Sequence, residues 1–215
     1  MNDKIKYLAG ILVFGSLWGF SECIIGPQLS NIGISSGAIM TGFFAMIFLT
    51  MSRLIFKRKG MQLGMGLVAG SMRYFNPFGG CQVCSAISIA AEGLVLELIF
   101  DYLINVDLNQ IKSLTSKVAL GVFSAYSVFV IGYIITQILT PLSYGLFYIE
   151  NLISFIPTIL AEGLIVALFG ALVFPLTIEI YKLDMKIPDK LYYPTTVGIS
   201  LFCWISVIGT WIILS

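Results

Sequence analysis

Residues 152–180 read LISFIPTILAEGLIVALFGALVFPLTIEI. This stretch holds only two charged side chains, Glu162 and Glu179, and it exceeds the roughly 20 apolar residues that an α-helix needs to cross a bilayer. Because it is long and contains Pro175, we predict a transmembrane helix that is tilted or broken near this proline. The chain is therefore expected to fold in a membrane.

Further apolar stretches lie on both sides of this segment, and the third along the chain is short. They cover roughly residues 7–26, 34–56, 61–75, 82–104, 117–140 and 194–214. Overall, 58% of the residues are hydrophobic and 11% are charged, against about 25% charged residues in soluble domains, and the mean hydropathy is +0.98. We predict an all-α, polytopic integral membrane helix bundle with six to seven transmembrane helices, forming a single transmembrane domain over residues 1–215.

The composition also excludes several classes of function. The chain has no histidine, which zinc proteases, serine-histidine hydrolases and histidine-ligated haem proteins require. A net charge of +1 without a basic run argues against a nucleic-acid partner. We expect no cofactor and no enzymatic activity of the kinds that depend on these groups.

The positive charges predict the orientation in the membrane. Eleven of the twelve Lys and Arg residues fall on one side of the predicted helices, and Arg73 is the exception. By the positive-inside rule this side is the cytoplasm. We predict a multi-pass protein of the cell membrane with a cytoplasmic N-terminus and an extracytoplasmic C-terminus.

Charged groups within apolar stretches are the candidate functional groups. Glu22, Glu92, Glu162 and Arg73 lie inside predicted helices, where a central charged side chain costs about 2.5–3.5 kcal/mol on insertion scales. In the predicted topology all four lie in the outer or middle part of the membrane. We predict one polar site, open to the outside, that binds a small solute or an ion. The alternative is that Arg73 only neutralises a glutamate, although one arginine cannot pair with three carboxylates.

Helical spacing adds polar neighbours to this site. One stripe runs through Cys81, Cys84 and Ser88 to Glu92, at steps that keep these residues on one helix face. Asn151, Ser154, Thr158 and Glu162 repeat the same offsets. The predicted substrate-binding residues are Trp18, Glu22, Arg73, Asn76, Ser88, Glu92, Thr158 and Glu162.

Glu97, Asp101 and Glu179 fall near the cytoplasmic ends of their predicted helices. We predict that water or nearby lysines solvate these three carboxylates. The alternative is that they form part of an inner gate or a docking surface for a cytoplasmic partner.

The cysteines allow three interpretations. Cys81 and Cys84 begin a helix at the predicted outer face, where they form a disulfide, bind a soft metal together with Cys23, or simply pack as apolar groups. Cys203 is expected to lie in the core.

The first helix contains a GxxxG pattern at Gly15 and Gly19. This spacing lets two helices approach closely, either within the chain or between subunits.

With its small size, high apolar content, compact polar site and small residues in the first helix, the chain resembles the membrane-embedded substrate-binding subunits (S components) of energy-coupling factor transporters. The resemblance implies uptake of a vitamin-like solute or a metal ion. It also implies a transmembrane coupling subunit, docked at Gly15 and Gly19, and cytoplasmic ATPases as partners. The chain departs from this family, which usually has six helices with both termini in the cytoplasm.

Two other functions remain open. A proton-coupled secondary transporter would use Glu22, Glu92 or Glu162 as its proton carrier. A thiol-disulfide oxidoreductase would use Cys81 and Cys84, since the chain also resembles quinone-linked disulfide-forming membrane proteins in having a CxxC at the outer start of a helix. A second cysteine pair in an outer loop, typical of those enzymes, is missing from the sequence.

Overall fold

The computed structural model describes residues 3–32, 36–76, 81–104, 108–143, 149–183 and 189–214. These residues form a helical bundle without strands, as predicted. Seven main helices are described: α1 Asp3–Asn31, α2 Ser36–Phe56, α3 Met61–Tyr74, α4 Gln82–Leu103, α5 Leu114–Ser143, α6 Ile149–Tyr181 and α7 Asp189–Leu214.

Six of these helices are long and apolar enough to cross a membrane. Helix α3 is the exception because its 14 residues extend only about 21 Å at 1.5 Å per residue, less than the roughly 30 Å of a hydrocarbon core. The short third segment and the range of six to seven helices are thus confirmed. The chain is a multi-pass helical membrane protein.

Helices α1 and α7 run in the same direction. The Lys6 ammonium lies 5.3 Å from the centre of the Tyr192 ring near the start of α7, and further along the pair the Trp204 indole N–H donates to the Ser16 hydroxyl at 3.2 Å. The start of α1 and the end of α7 therefore lie at opposite ends of the bundle.

Helix α3 lies between α1 and α4 at contacts that only glycine permits. A Cβ atom at Gly15 would lie 2.7 Å from the Val68 Cβ, and one at Gly70 would lie 2.5 Å from the Ala86 carbonyl oxygen. Gly19 is likewise buried against α3. The prediction that Gly15 and Gly19 dock a partner subunit is therefore wrong, because both residues are used for packing inside the chain.

Most positive side chains gather at one end of the bundle, which we call the cationic end. It includes Lys6, Arg53, Arg58, Lys59, Lys117 and Lys182, whose contacts join the starts of α1, α5 and α7 to the ends of α2, α4 and α6. Glu179 bonds Lys117 at 2.5 Å and Lys182 at 3.0 Å. The hydrogen bond that the Lys182 ammonium donates to Glu179 raises the pKa of Lys182, which lies just beyond α6.

Two carboxylates at the cationic end are buried. Asp101, in a π-helical turn at Ile99–Ile104, forms an ion pair with Arg53. Glu97 accepts hydrogen bonds from the backbone N–H groups of Gly60 and Leu63 and so caps the start of α3. Each residue is only 8% exposed. The prediction that both are solvated is wrong because both side chains are buried, with Asp101 Oδ1 paired to Arg53 and the Glu97 carboxylate bonded to backbone N–H groups. For Glu179 the prediction of a solvated carboxylate agrees with the structure, because its side chain is 55% exposed.

We expect Glu97→Gln to destabilise the fold, because its amide turns an N–H group toward one of the two backbone donors. Loss of a charged hydrogen bond should lower the free energy of unfolding by about 2 kcal/mol, measured by thermal or detergent-induced unfolding of the purified protein. Glu162→Gln is the matched control, since the described part of the chain gives Glu162 no hydrogen bond or ion pair. Equal stability of the two variants would contradict the capping role.

Candidate functional site

A cavity with two connected chambers lies toward the end of the bundle opposite the cationic end. The outer chamber has a volume of about 380 Å³, and the inner chamber, between α2, α4 and α5, has a volume of about 190 Å³. Four residues line both chambers and form the neck between them: Glu22, Gly37, Met40 and Arg73. Exposed Ser30 and half-buried Ser36 line the outer chamber, so the cavity continues to the protein surface.

Two π-helical turns shape this cavity. One, Ser21–Ile25 in α1, carries Glu22, and the other, Met40–Ala45 in α2, carries Thr41. The Gly26 N–H bonds the Ser21 carbonyl five residues back, and Pro27 follows without an N–H to donate. Such turns often occur at functional sites because they redirect side chains and free backbone groups.

Glu22 is held in the neck by its neighbours. The Trp18 indole N–H donates to a Glu22 carboxylate oxygen at 3.4 Å, and an Arg73 Nη1 group donates to the Glu22 main-chain carbonyl at 3.0 Å. Trp18 is fully buried. One carboxylate and one guanidinium therefore lie where the two chambers adjoin.

Glu92 lies in the inner chamber, where it is 8% exposed. The Thr41 hydroxyl donates to its carboxylate at 3.5 Å, and no other hydrogen bond to this carboxylate occurs among the described residues. Gly132 leaves the space for it, since a Cβ there would lie 2.8 Å from Glu92 Oε1. A carboxylate accepts about four hydrogen bonds, so Glu92 retains most of its capacity for a bound group.

The rest of the inner chamber combines hydroxyl groups with two aromatic rings. Ser88 and Thr136 both donate to the Gly132 carbonyl oxygen, at 2.5 and 3.2 Å. Phe129 and Tyr133 stack with their ring centres 5.4 Å apart, and both line the chamber. These rings were not predicted to belong to the site, because aromatic side chains one helical turn apart in an apolar segment are typical of an ordinary core.

The structure brings together part of the predicted site. Glu22, Arg73, Ser88 and Glu92 line the cavity, and Trp18 contacts Glu22.

The other predicted binding residues line neither chamber. Asn76 is buried, and its main-chain carbonyl accepts a hydrogen bond from Gln82 at 2.9 Å. Thr158 is exposed and Glu162 is half-buried. Helix α6 instead packs Gly163 against the Tyr126 ring of α5, which leaves this second polar stripe outside the cavity. The Asn151 side chain lies outside the described residues.

The cysteines do not form the predicted metal site. Cys81 and Cys84 are joined by a disulfide, and the Cys84 N–H donates to the Cys81 sulfur at the start of α4. Cys23 is a buried free thiol that packs with Met72 and Cys203. Disulfide sulfurs lack the thiolate that binds metal, and the described residues contain no cluster of three potential metal-ligating side chains. The metal interpretation is therefore wrong, and the disulfide is the one of the three that the structure contains.

Comparison with known protein families, with curated proteins and with solved structures finds no match to this chain. The function must therefore be inferred from the site itself.

We expect thiol counting to detect this disulfide. Denatured protein should react with two equivalents of maleimide, at Cys23 and Cys203, and with four after reduction. Mass spectrometry of the purified chain provides the count. Four reactive thiols without reductant, in protein kept under air and purified without reducing agent, would contradict the pairing.

Proposed function

We propose that this chain is a membrane-embedded solute-binding protein for uptake of a small solute through the two-chambered cavity. The proposal depends on the position of Glu92. Its carboxylate is buried, accepts one long hydrogen bond, and lines the inner chamber of a cavity that continues to the surface. Ionisable groups at membrane depth are costly, and they typically mark pathways for solutes or ions. The solute is vitamin-like, cationic or a metal ion.

The position of the cationic end supports the proposed orientation. Positively charged loops favour the cytoplasmic side of a membrane. With this end in the cytoplasm of the cell, the cavity opens to the outside and the end of α7 is extracytoplasmic. A solute would therefore reach Glu22, Arg73 and Glu92 from the outside.

We also propose that the chain acts with partners, as its resemblance to the S components of energy-coupling factor transporters implies. These partners are a transmembrane coupling subunit and cytoplasmic ATPases. Because Gly15 and Gly19 are occupied by α3, the coupling subunit would bind another surface. In this role the chain binds its solute and catalyses no reaction.

Two observations favour alternative functions. Glu92, reached through a cavity, suits a proton-coupled secondary transporter. The disulfide at the start of α4 suits a thiol-disulfide oxidoreductase, and loss of function in Cys81→Ser and Cys84→Ser with normal function in Glu92→Gln would favour that enzyme.

We expect the wild-type chain to retain a small molecule on purification and Glu92→Gln to lose it. The wild-type chain is purified from membranes of its own host in mild detergent, and mass spectrometry identifies the compounds released on denaturation. The retained compound should fall at least about tenfold in Glu92→Gln, as expected for loss of a charged hydrogen bond. Glu162→Gln should retain the compound. Glu162 lies in the same Ala-Glu-Gly-Leu sequence as Glu92, but outside the cavity. Equal retention in both variants, with unchanged thermal stability, would reject the site.

We expect the tagged chain to be purified with two ATPases and a second membrane subunit in stoichiometric amounts. Quantitative mass spectrometry of the complex tests this, with an unrelated tagged membrane protein as control. Recovery of the chain alone would reject the proposed partners. Uptake abolished by an uncoupler would then favour the proton-coupled transporter.

A further inference from the structure

The charges that line the cavity differ between its two chambers. Glu92 belongs only to the inner chamber, whereas Glu22 and Arg73 lie in the neck. Among the described lining residues these are the only charged side chains, so carboxylates outnumber the guanidinium by two to one. The inner chamber is therefore the more negative part of the cavity when its carboxylate is ionised.

An ionised Glu92 carboxylate needs a partner of opposite charge. It is more than nine-tenths buried, and the described residues give it one hydrogen bond at 3.5 Å. A buried ion without a partner is costly, whereas a cation with good hydrogen-bond geometry offsets that cost. Arg73 is held at the neck by the Glu22 carbonyl, so a cation from the solute is the fitting partner.

The aromatic rings indicate which kind of cation fits. Phe129 and Tyr133 line the same small chamber as Glu92, and aromatic faces attract ammonium groups. A bare divalent metal ion instead prefers several carboxylate or carbonyl oxygens, and no cluster of three acidic, cysteine or histidine side chains occurs in the described residues. The site therefore favours an organic ammonium group.

Arg73 indicates the other end of the solute. Its guanidinium has five N–H donors in a fork that suits carboxylates and phosphates, and one of these groups holds the Glu22 carbonyl. Because Arg73 lines both chambers, an anionic group in the neck lies within its reach while an ammonium occupies the inner chamber.

We propose that the cavity binds a small organic zwitterion, with Glu92, Phe129 and Tyr133 around the ammonium group and Arg73 at the anionic group. This assignment rests on the proposed solute-binding function and narrows it to one class of solute.

The test measures charge selectivity inside the cavity of the full chain in lipid nanodiscs. Thr136→Cys, or Ile89→Cys if the first variant fails to fold, places a thiol in the inner chamber. Its reaction rate is measured with two methanethiosulfonate reagents, one carrying trimethylammonium and one carrying sulfonate. Both rates are corrected for reaction with a free thiol in solution and for background labelling of the wild-type chain.

The cationic reagent should react about tenfold faster than the anionic one, since a nearby buried carboxylate favours positive charge. Adding Glu92→Gln should remove most of this preference, and adding Glu162→Gln should preserve it. Equal rates for the two reagents, or a preference unchanged by Glu92→Gln, would overturn the assignment.

Protection of the inner thiol tests the zwitterion with named probes. Butylamine and 4-aminobutanoate should slow labelling, and butanoate should not. Arg73→Gln should weaken protection by 4-aminobutanoate more than protection by butylamine. Protection by sodium or manganese ions alone, with none by the amines, would overturn the organic ammonium in favour of an inorganic cation.

These outcomes are separate from those of the proposed function. If Glu92→Gln loses its retained compound but that compound carries no amine, solute binding stands and the zwitterion is rejected. If Glu92→Gln retains the compound, the solute site itself is rejected.

Discussion

The structure depends on the close approach of α3 to α1 and α4. Lipid tails are as apolar as the helices, so hydrophobic burial gives little force between helices in a bilayer, and close van der Waals contact must hold them together. Gly15 on α1 and Gly70 on α3 supply this contact. The same three helices carry Glu22, Arg73 and Glu92. Their polar groups therefore converge on one cavity because the glycines just below them bring the backbones together.

The cavity requires two interruptions of regular helix. If α1 were a regular α-helix around Glu22, every backbone carbonyl there would accept a hydrogen bond from an N–H group of the same helix. The π-helical turn at Ser21–Ile25 changes this pairing, and Arg73 bonds the Glu22 carbonyl. The matching turn in α2 carries Thr41, which bonds Glu92. The hydrogen bonds of the site thus depend on local departures from the helix geometry that membrane insertion otherwise favours.

Much of this arrangement was predictable from sequence, and the failures have physical causes. Hydropathy predicts the segments because a membrane helix must be apolar over its length, and helical spacing places Ser88 and Glu92 on one face. Glu92 and Glu162 share the same Ala-Glu-Gly-Leu context, yet only Glu92 lines the cavity, since neighbouring helices decide which face is enclosed. The cap at Glu97 was also missed, although Gly60 before α3 offers no capping side chain and so requires an acceptor from elsewhere.

The two ends of the bundle differ in their polar contacts. At the cavity end, Glu22 and Arg73 line a neck that leads inward. At the cationic end, the Arg53–Asp101 pair and the Glu97 cap join α2, α3 and α4. Because breaking a buried ion pair costs about 3–5 kcal/mol, a path through the cationic end would have to overcome the energy of this pair as well as that of the cap.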